Sequence, residues 1–384
     1  EAALDSANFL ATSSLVAIDV QVNIPLYYDS DRDSSSAAFS GFTSGEANYI
    51  KIYTPNDTVT EVNKSQRHLG KWDESKYRLG GNSSYTTTVL DIGVDYTIVE
   101  GLQIYLSDGT KQWYDRLIEV NADNVVVRNN ILKNAYSGVY VEWNSIADVY
   151  NNYIYNIGRY GVYLFSSGDC DIYNNTIHSS GLTADSTGFH LNTNPNFVLI
   201  NNIVQGFDNF YTTGTGGLDS SSDYNISDLG TATGGSHDQV NSTVEFVDLS
   251  NEDFRLDDTD TIAQDAGTSS LSSIFTADIQ GTPRGGAWDV GADEVPVDFV
   301  SIICEDTSAG GDCADVDYSS LNSWEDAVET DLTTDTTMVF SGEITGALSE
   351  NYTLEMYVGG TDTGVDLVVV ATTSDQILVD AISG

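Results

Sequence analysis

The chain has 384 residues, with 58 Asp and Glu against 14 Lys and Arg and a formal net charge of −44. A surface this acidic repels nucleic acid and anionic membrane, and nothing in the chain makes a basic groove for either. No apolar run reaches the roughly 18 residues that a membrane-crossing helix needs, while a hydrophobic content of 40% supplies a sizeable core.

The chain opens with Glu1 and no signal peptide is visible, which reads as a mature product or a piece excised from a larger protein. Residues 1–44 are an N-terminal lead-in. Within it L-V-A-I-D-V-Q-V-N-I at Leu15–Ile24 alternates in part as a strand, and an acidic, Ser-rich loop follows at Asp29–Ser36. Coils begin with A-N-Y-I-K-I-Y at Ala47–Tyr53. The stretch Ser65–Leu79 is unlike its surroundings and concentrates Arg67, His68, Lys71, Lys76 and Arg78. Next, V-D-Y-T-I-V-E-G-L-Q-I at Val94–Ile104 fits the coil template, with Glu100-Gly101 in place of the Asn pair of later coils.

Those later coils organise the chain. They read N-V-V-V-R-N-N-I-L-K at Asn124–Lys133, D-V-Y-N-N-Y-I-Y at Asp148–Tyr155, D-I-Y-N-N-T-I-H at Asp171–His178 and V-L-I-N-N-I-V-Q at Val198–Gln205. The second Asn of each pair falls at Asn130, Asn152, Asn175 and Asn202, with spacings of 22, 23 and 27. A second run, G-V-Y-V at Gly138, G-V-Y-L at Gly161 and G-F-H-L at Gly188, follows the first three. Two short β-rich runs in each such period predict a β-solenoid. Val127, Val149, Ile172 and Leu199 make one apolar column, and Leu132, Ile154, Ile177 and Val204 another. Val139, Val162 and Phe189 make a third, and Val141, Leu164 and Leu191 a fourth. Faces alternate along a strand, so all four columns point inward and like packs on like between coils about 4.8 Å apart. The Asn column belongs at a bend, bonding backbone and the Asn of the next coil, where Asn also tolerates a left-handed backbone.

After Gly206 the pattern loosens into a Gly/Ser/Thr/Asp-rich stretch, Thr212–Ser236, either long loops or an excursion. The region closes on D-D-T-D-T-I-A-Q-D-A-G at Asp257–Gly267, D-I-Q-G-T-P-R at Asp278–Arg284 and W-D-V-G-A-D-E at Trp288–Glu294. In residues 295–384, Asp317–Val328 reads as a short amphipathic helix. Thr336–Gly342, Tyr352–Val358, Asp366–Ala371 and Gln376–Ile382 read as strands.

The asparagine ladder and coil length resemble the right-handed parallel β-helix of the pectate-lyase-like superfamily, over residues 45–294. The closing run resembles the terminal signature of secreted bacterial β-helix proteins, which implies an architectural role with Arg284 paired to an Asp. The resemblance also implies that Ser65–Leu79 is a loop leaving one coil, packed by its Trp and Tyr; contact with an anionic sugar is the other reading. The fold expected is therefore all-β, a right-handed parallel β-helix with a C-terminal β-rich segment. The Y-S-S-L-N-S-W-E run at Tyr318–Glu325 resembles the opening cap of the same class, at the opposite end from where a cap belongs. That points to head-to-tail contact with other copies of the chain; a small separate β domain is the alternative.

A catalytic constellation is not legible. Arg128, Lys133 and Arg159 face outward with few carboxylates beside them, and Asp148, Asp169 and Asp171 lie at coil edges. The outward columns are more suggestive as ligand contacts: Tyr150 and Tyr173; Tyr140, Tyr163 and His190; Tyr155 and His178. Such rings stack on sugars or bury against a neighbouring protomer, and β-sheets favour surface tyrosine in any case. Asp306, Asp312, Asp315 and Asp317, around Gly310-Gly311, have the composition of a calcium loop and equally of a solvated acidic linker. Cys304 and Cys313 bracket that loop and suit a local disulfide outside the cell, while Cys170 reads as a buried small hydrophobe. The expectation is an extracellular or cell-surface structural protein, the building block of a filament, sheath or tandem array. The alternative is a polysaccharide-binding or polysaccharide-degrading β-helix, a lyase or glycosidase if an enzyme at all. No nucleic-acid partner and no membrane insertion are expected.

Overall fold

The computed structural model describes residues 12–295, apart from 59, 83–86, 108–113, 166–167, 180–184, 193–196 and 215–216, and three strands beyond them. The chain divides into two units at Val295/Pro296.

The first unit is a parallel β-solenoid with three faces of seven strands each. Sheet 1 holds Val22–Pro25, Ile50–Tyr53, Thr97–Glu100, Val125–Arg128, Ala147–Tyr150, Asp171–Tyr173 and Val198–Ile200. Sheet 2 holds Arg78–Gly81, Gln103–Leu106, Ile131–Lys133, Tyr153–Tyr155, Thr176–His178, Ile203–Gln205 and Ile226–Ser227. Sheet 3 holds Ala37–Ser40, Thr88–Gly93, Arg116–Val120, Ser137–Glu142, Tyr160–Phe165, Thr187–Leu191 and Asn209–Thr213. The first rungs thus lie inside the lead-in segment, before residue 45. Leu15–Ile18, expected as strand, is a single helical turn capped by the Ser14 hydroxyl, and only Val22–Pro25 continues as strand.

All four apolar columns are buried in one core. In-register pairs such as Val127↔Val149, Val149↔Ile172 and Ile172↔Leu199 stack them along the axis. Each fully buried aliphatic side chain contributes about 1.5–3 kcal/mol, so this stack is the main source of stability.

The two asparagines of each pair have different jobs. The second forms the ladder: Asn130 Nδ2 donates to Asn152 Oδ1 at 3.0 Å, Asn152 to Asn175 at 3.0 Å, and Asn175 to Asn202 at 3.0 Å. Asn225 is a fifth, buried rung, accepting from Asn202 Nδ2 at 3.1 Å. The left-handed backbone belongs to the first asparagine instead: φ is 56° at Asn129, 52° at Asn151, 47° at Asn174 and 58° at Asn201. The register also corrects the earlier coil. Glu100 aligns with Arg128, so Gly101 (φ 76°) takes the first-Asn place and Leu102 the ladder place. The Leu102 N–H still donates to Asn130 Oδ1, at 2.9 Å.

After the last rung of sheet 2 the chain turns back along the outside of the solenoid. Phe246–Asp248 and Asp253–Leu256 form an antiparallel pair, and their Phe246 and Phe254 pack on Ile131, Tyr153, Tyr155 and Ile203 of sheet 2. Leu271, Phe275 and Trp288 pack on Tyr150, Tyr173 and Ile200 of sheet 1. The first-Asn side chains fasten this wrap. Asn151 Nδ2 donates to Ala277 O (2.7 Å), Asn174 Nδ2 to Gly291 O (3.0 Å) and Asn201 Nδ2 to Thr268 O (2.9 Å). Gly291 sits so close that a Cβ would meet Ile203 Cδ1 at 2.6 Å, and its φ of 101° bars other residues as well. Arg284 closes the wrap on Glu294 (2.8 Å), not on an Asp, and also donates to Gly291 O and Asn151 Oδ1.

In the second unit the backbone of Val297–Ile303, Met338–Ile344 and Val368–Ala371 forms one parallel sheet in sequence order. The expected helix at Asp317–Val328, the strands at Tyr352–Val358 and Gln376–Ile382, Cys304, Cys313, and the calcium candidates Asp306, Asp312, Asp315 and Asp317 lie outside the described residues.

Candidate functional site

The three outward columns meet different fates. Tyr150 and Tyr173 are under the wrap, with the Tyr150 ring stacked on Phe275 at 4.7 Å. Tyr155 and His178 are also covered, lying 4.5 and 5.3 Å from Phe254. Facing out of the coil does not put these four at the surface, because the wrap makes a second apolar layer over sheets 1 and 2. Tyr140, Tyr163 and His190, on sheet 3, pack against one another instead.

Two clusters on sheet 1 have charge but no open site. Glu100 receives Arg67 (2.7 Å), Arg128 (2.7 Å) and Lys51 (3.1 Å). Burial opposes its charge, yet these three cations hold its carboxyl down at about 2. His68 is fully buried with Nε2 on Asn129 O, and burial keeps its ring neutral, with a pKa lowered to about 3. Lys71 reaches Asp253 (3.2 Å) and Arg78 reaches Glu74 (2.6 Å). The Ser65–Leu79 stretch is therefore a packed loop whose cations are largely engaged within the protein. Asp148 and Asp171 are in-register neighbours near the starts of their strands on sheet 1. Burial, and then Asp171, pushes Asp148 up to about 6.

Sheet 3 carries the candidate site. Its ladder runs Ala38, Asp91, Glu119, Tyr140, Tyr163, His190, Thr212, one residue per coil. Tyr140 and Tyr163 have ring centroids 4.9 Å apart, and Tyr163 and His190 4.7 Å. Tyr160 stacks on His190 at 4.7 Å, and Phe165 lies 5.4 Å from Trp143, which is 66% exposed. The result is a strip of rings along the solenoid axis, with Tyr140 buried, Tyr163 and His190 part-exposed, and Trp143 open at its side.

A polar group adjoins the strip. Arg116 donates to Glu119 at 2.6 Å and lies 3.5 Å over the Tyr140 ring. The Thr88 hydroxyl donates to the other Glu119 oxygen at 2.6 Å. Burial raises the cost of charge on Glu119, but Thr88 and Arg116 outweigh it and hold the carboxyl below its usual range. Glu142, hydrogen-bonded to Glu119, is pushed the other way by burial and by that neighbour. Glu142 Oε1 accepts Trp143 Nε1–H at 3.1 Å. Burial, then Arg159, lowers the His190 value, so that ring is neutral at ordinary pH. Chemically this is a cluster of edge-to-face rings with a hydrogen-bonded pair of carboxyls beside it. Among the described residues no group of three His, Cys, Asp or Glu is arranged to hold a metal ion.

Sequence reasoning found Tyr140, Tyr163 and His190 but missed Arg116, Glu119, Glu142, Trp143, Tyr160 and Phe165. Glu142 was within reach, two residues beyond Tyr140 on the same face. Glu119 was not, because its coil lacks the Asn pair that would have aligned it.

A family model described as the right handed beta helix region matches residues 98–228. The crystal structure of pectate lyase Pel9A is similar at 14% identity over 75% of this chain and 90% of that chain, with a TM-score of 0.40. No curated protein matches the sequence. The matched span holds the whole ladder from Asn130 to Asn225 and the Tyr140–His190 strip, and the solenoid of the first unit is a right-handed parallel β-helix.

Proposed function

We propose that the protein binds polysaccharide outside the cell, along the aromatic strip of sheet 3. The observation that carries this is the contrast between faces: the rings of sheets 1 and 2 are clad by the wrap, while on sheet 3 Tyr160, Tyr163, Phe165 and His190 stay part-exposed beside an open Trp143. The open Trp143 ring, with the part-exposed Phe165 and Tyr163 beside it, suits the apolar face of a sugar, and Glu142 and Asn192 offer hydrogen bonds at the edge. Affinity electrophoresis through glycan-loaded gels tests it. Trp143→Ala and Tyr163→Ala should each weaken binding about tenfold, the equivalent of about 1.4 kcal/mol, while Tyr173→Phe, under the wrap, should not. Unretarded migration of the wild-type chain in every glycan would overturn the reading.

A second reading has its own support. Parallel neighbours need a crossover between them, as solenoid coils do, and Val297–Ile303, Met338–Ile344 and Val368–Ala371 pair in that way. This favours the C-terminal segment as the start of further coils, joined to another copy in a filament, sheath or array. Electron microscopy of the whole chain, with and without chelator, tests it: filaments support the reading, and discrete particles throughout sink it.

A further inference from the structure

Resting on the polysaccharide reading, we infer that the glycan held on sheet 3 is neutral, a polysaccharide of uncharged sugars, and that polyuronates are rejected. A polyuronate carries a carboxylate on every sugar and needs available cations along its track. Sheet 3 has none to spare among the described residues. Its two cations are Arg116 and Arg159. Arg116 is spent on Glu119 and the Tyr140 ring. Arg159 bonds the Tyr136 and Tyr160 hydroxyls and lies 5.2 Å over the Tyr160 ring. The other described Lys and Arg stand on sheets 1 and 2, in the loop before Arg78, on the wrap, or, for Arg32, against Tyr105 of sheet 2.

The acids point the same way. Asp91, Glu119 and Glu142 follow one another beside the strip, and the Asn121 amide donates to Asp91 at 2.9 Å. A uronate at Trp143 would meet the Glu119–Glu142 pair, and the −44 charge of the whole chain adds long-range repulsion. A neutral sugar meets neither penalty. Its C–H face stacks on Trp143, Phe165 and Tyr163, and its hydroxyls exchange hydrogen bonds with Glu142 and Asn192.

The test is affinity electrophoresis of the whole chain near pH 6 through a neutral β-glucan, xylan, galactomannan, polygalacturonate, alginate and chitosan, at low and high salt. The expected result is retardation by at least one neutral glycan that is unchanged by salt and reduced in Trp143→Ala, with no retardation by either polyuronate. Tighter binding of polygalacturonate or alginate than of every neutral glycan overturns the inference and leaves the polysaccharide reading standing. So does binding of chitosan alone, lost at high salt, which would assign the face to a cationic sugar. Retardation by none of the six overturns both.

Discussion

At the scale of single residues, the Asn pair shows how one residue type serves two purposes. The second Asn is stacked inside, where its amide satisfies the bend of its own coil and the next. Asn152, for example, bonds Val127 O, Tyr150 O and Asn175 Oδ1, and accepts from the Asn130 N–H. Asn152→Ala strands several of these groups and should cost about 3 kcal/mol by denaturant unfolding, each buried unsatisfied group costing about 1–3 kcal/mol. The first Asn is left-handed and holds the wrap. Asn174→Ala loses the bonds to Asp289 O and Gly291 O and gains backbone strain, whereas Asn174→Gly loses the bonds alone. The Ala variant should therefore be the less stable by about 1 kcal/mol. Equal stability of the two would show that the φ of 47° is not needed there. The ladder was legible from the N-N spacing. Which Asn took the left-handed backbone was not, because both are polar, both tolerate it, and only the direction of the bend separates them.

The wrap decides what happens at the scale of elements. Asp278, Asp289, Asp293 and Glu294 are all buried, and one guanidinium, Arg284, serves them. Four ionised carboxylates around one cation are too costly in such a place. Burial pushes Asp278 and Asp289 up to about 6 and Glu294 up to about 8, and it raises Asp293 too. Folded values above the ordinary carboxylate range mean that the folded form keeps protons which the unfolded chain releases. Their effect is absent below about pH 4, and stability falls as pH rises from there through 6 to 8. Asp148, at about 6, adds in the same sense. Glu100, held at about 2, acts in the opposite sense and only below its ordinary 4.5. The melting temperature should accordingly be lower at pH 8 than at pH 5, and Glu294→Gln should flatten the upper part of that fall. A melting temperature that rises across the window would contradict the account. The closing motif was recognisable in sequence, and its architectural role holds. Its target was not legible, since the partners of Arg284 are a Glu ten residues on and an Asn in a distant coil.

For the whole molecule, charge is the largest single quantity. With −44 spread over one chain, the folded state carries more self-repulsion than the expanded one. Salt screens this repulsion, so moving from about 20 mM to about 500 mM NaCl shortens the Debye length severalfold and should raise the melting temperature. The close Glu100 contacts with Arg67 and Arg128 lose little to screening because they are partly buried. A fall in melting temperature with salt would mean that exposed ion pairs outweigh the net repulsion.

The sequence by itself determined the solenoid, its four inward columns and its ladder. Those follow from strand periodicity and from repetition, which place each residue relative to the same residue one coil away. Only the tertiary structure decided which outward face is a surface. Tyr150, Tyr155, Tyr173 and His178 have the same local pattern as Tyr140, Tyr163 and His190, and the wrap that covers the first four comes from residues 244–294. That distinction depends on contacts between segments a hundred or more positions apart, such as Asn174 with Gly291, and no local spacing records them.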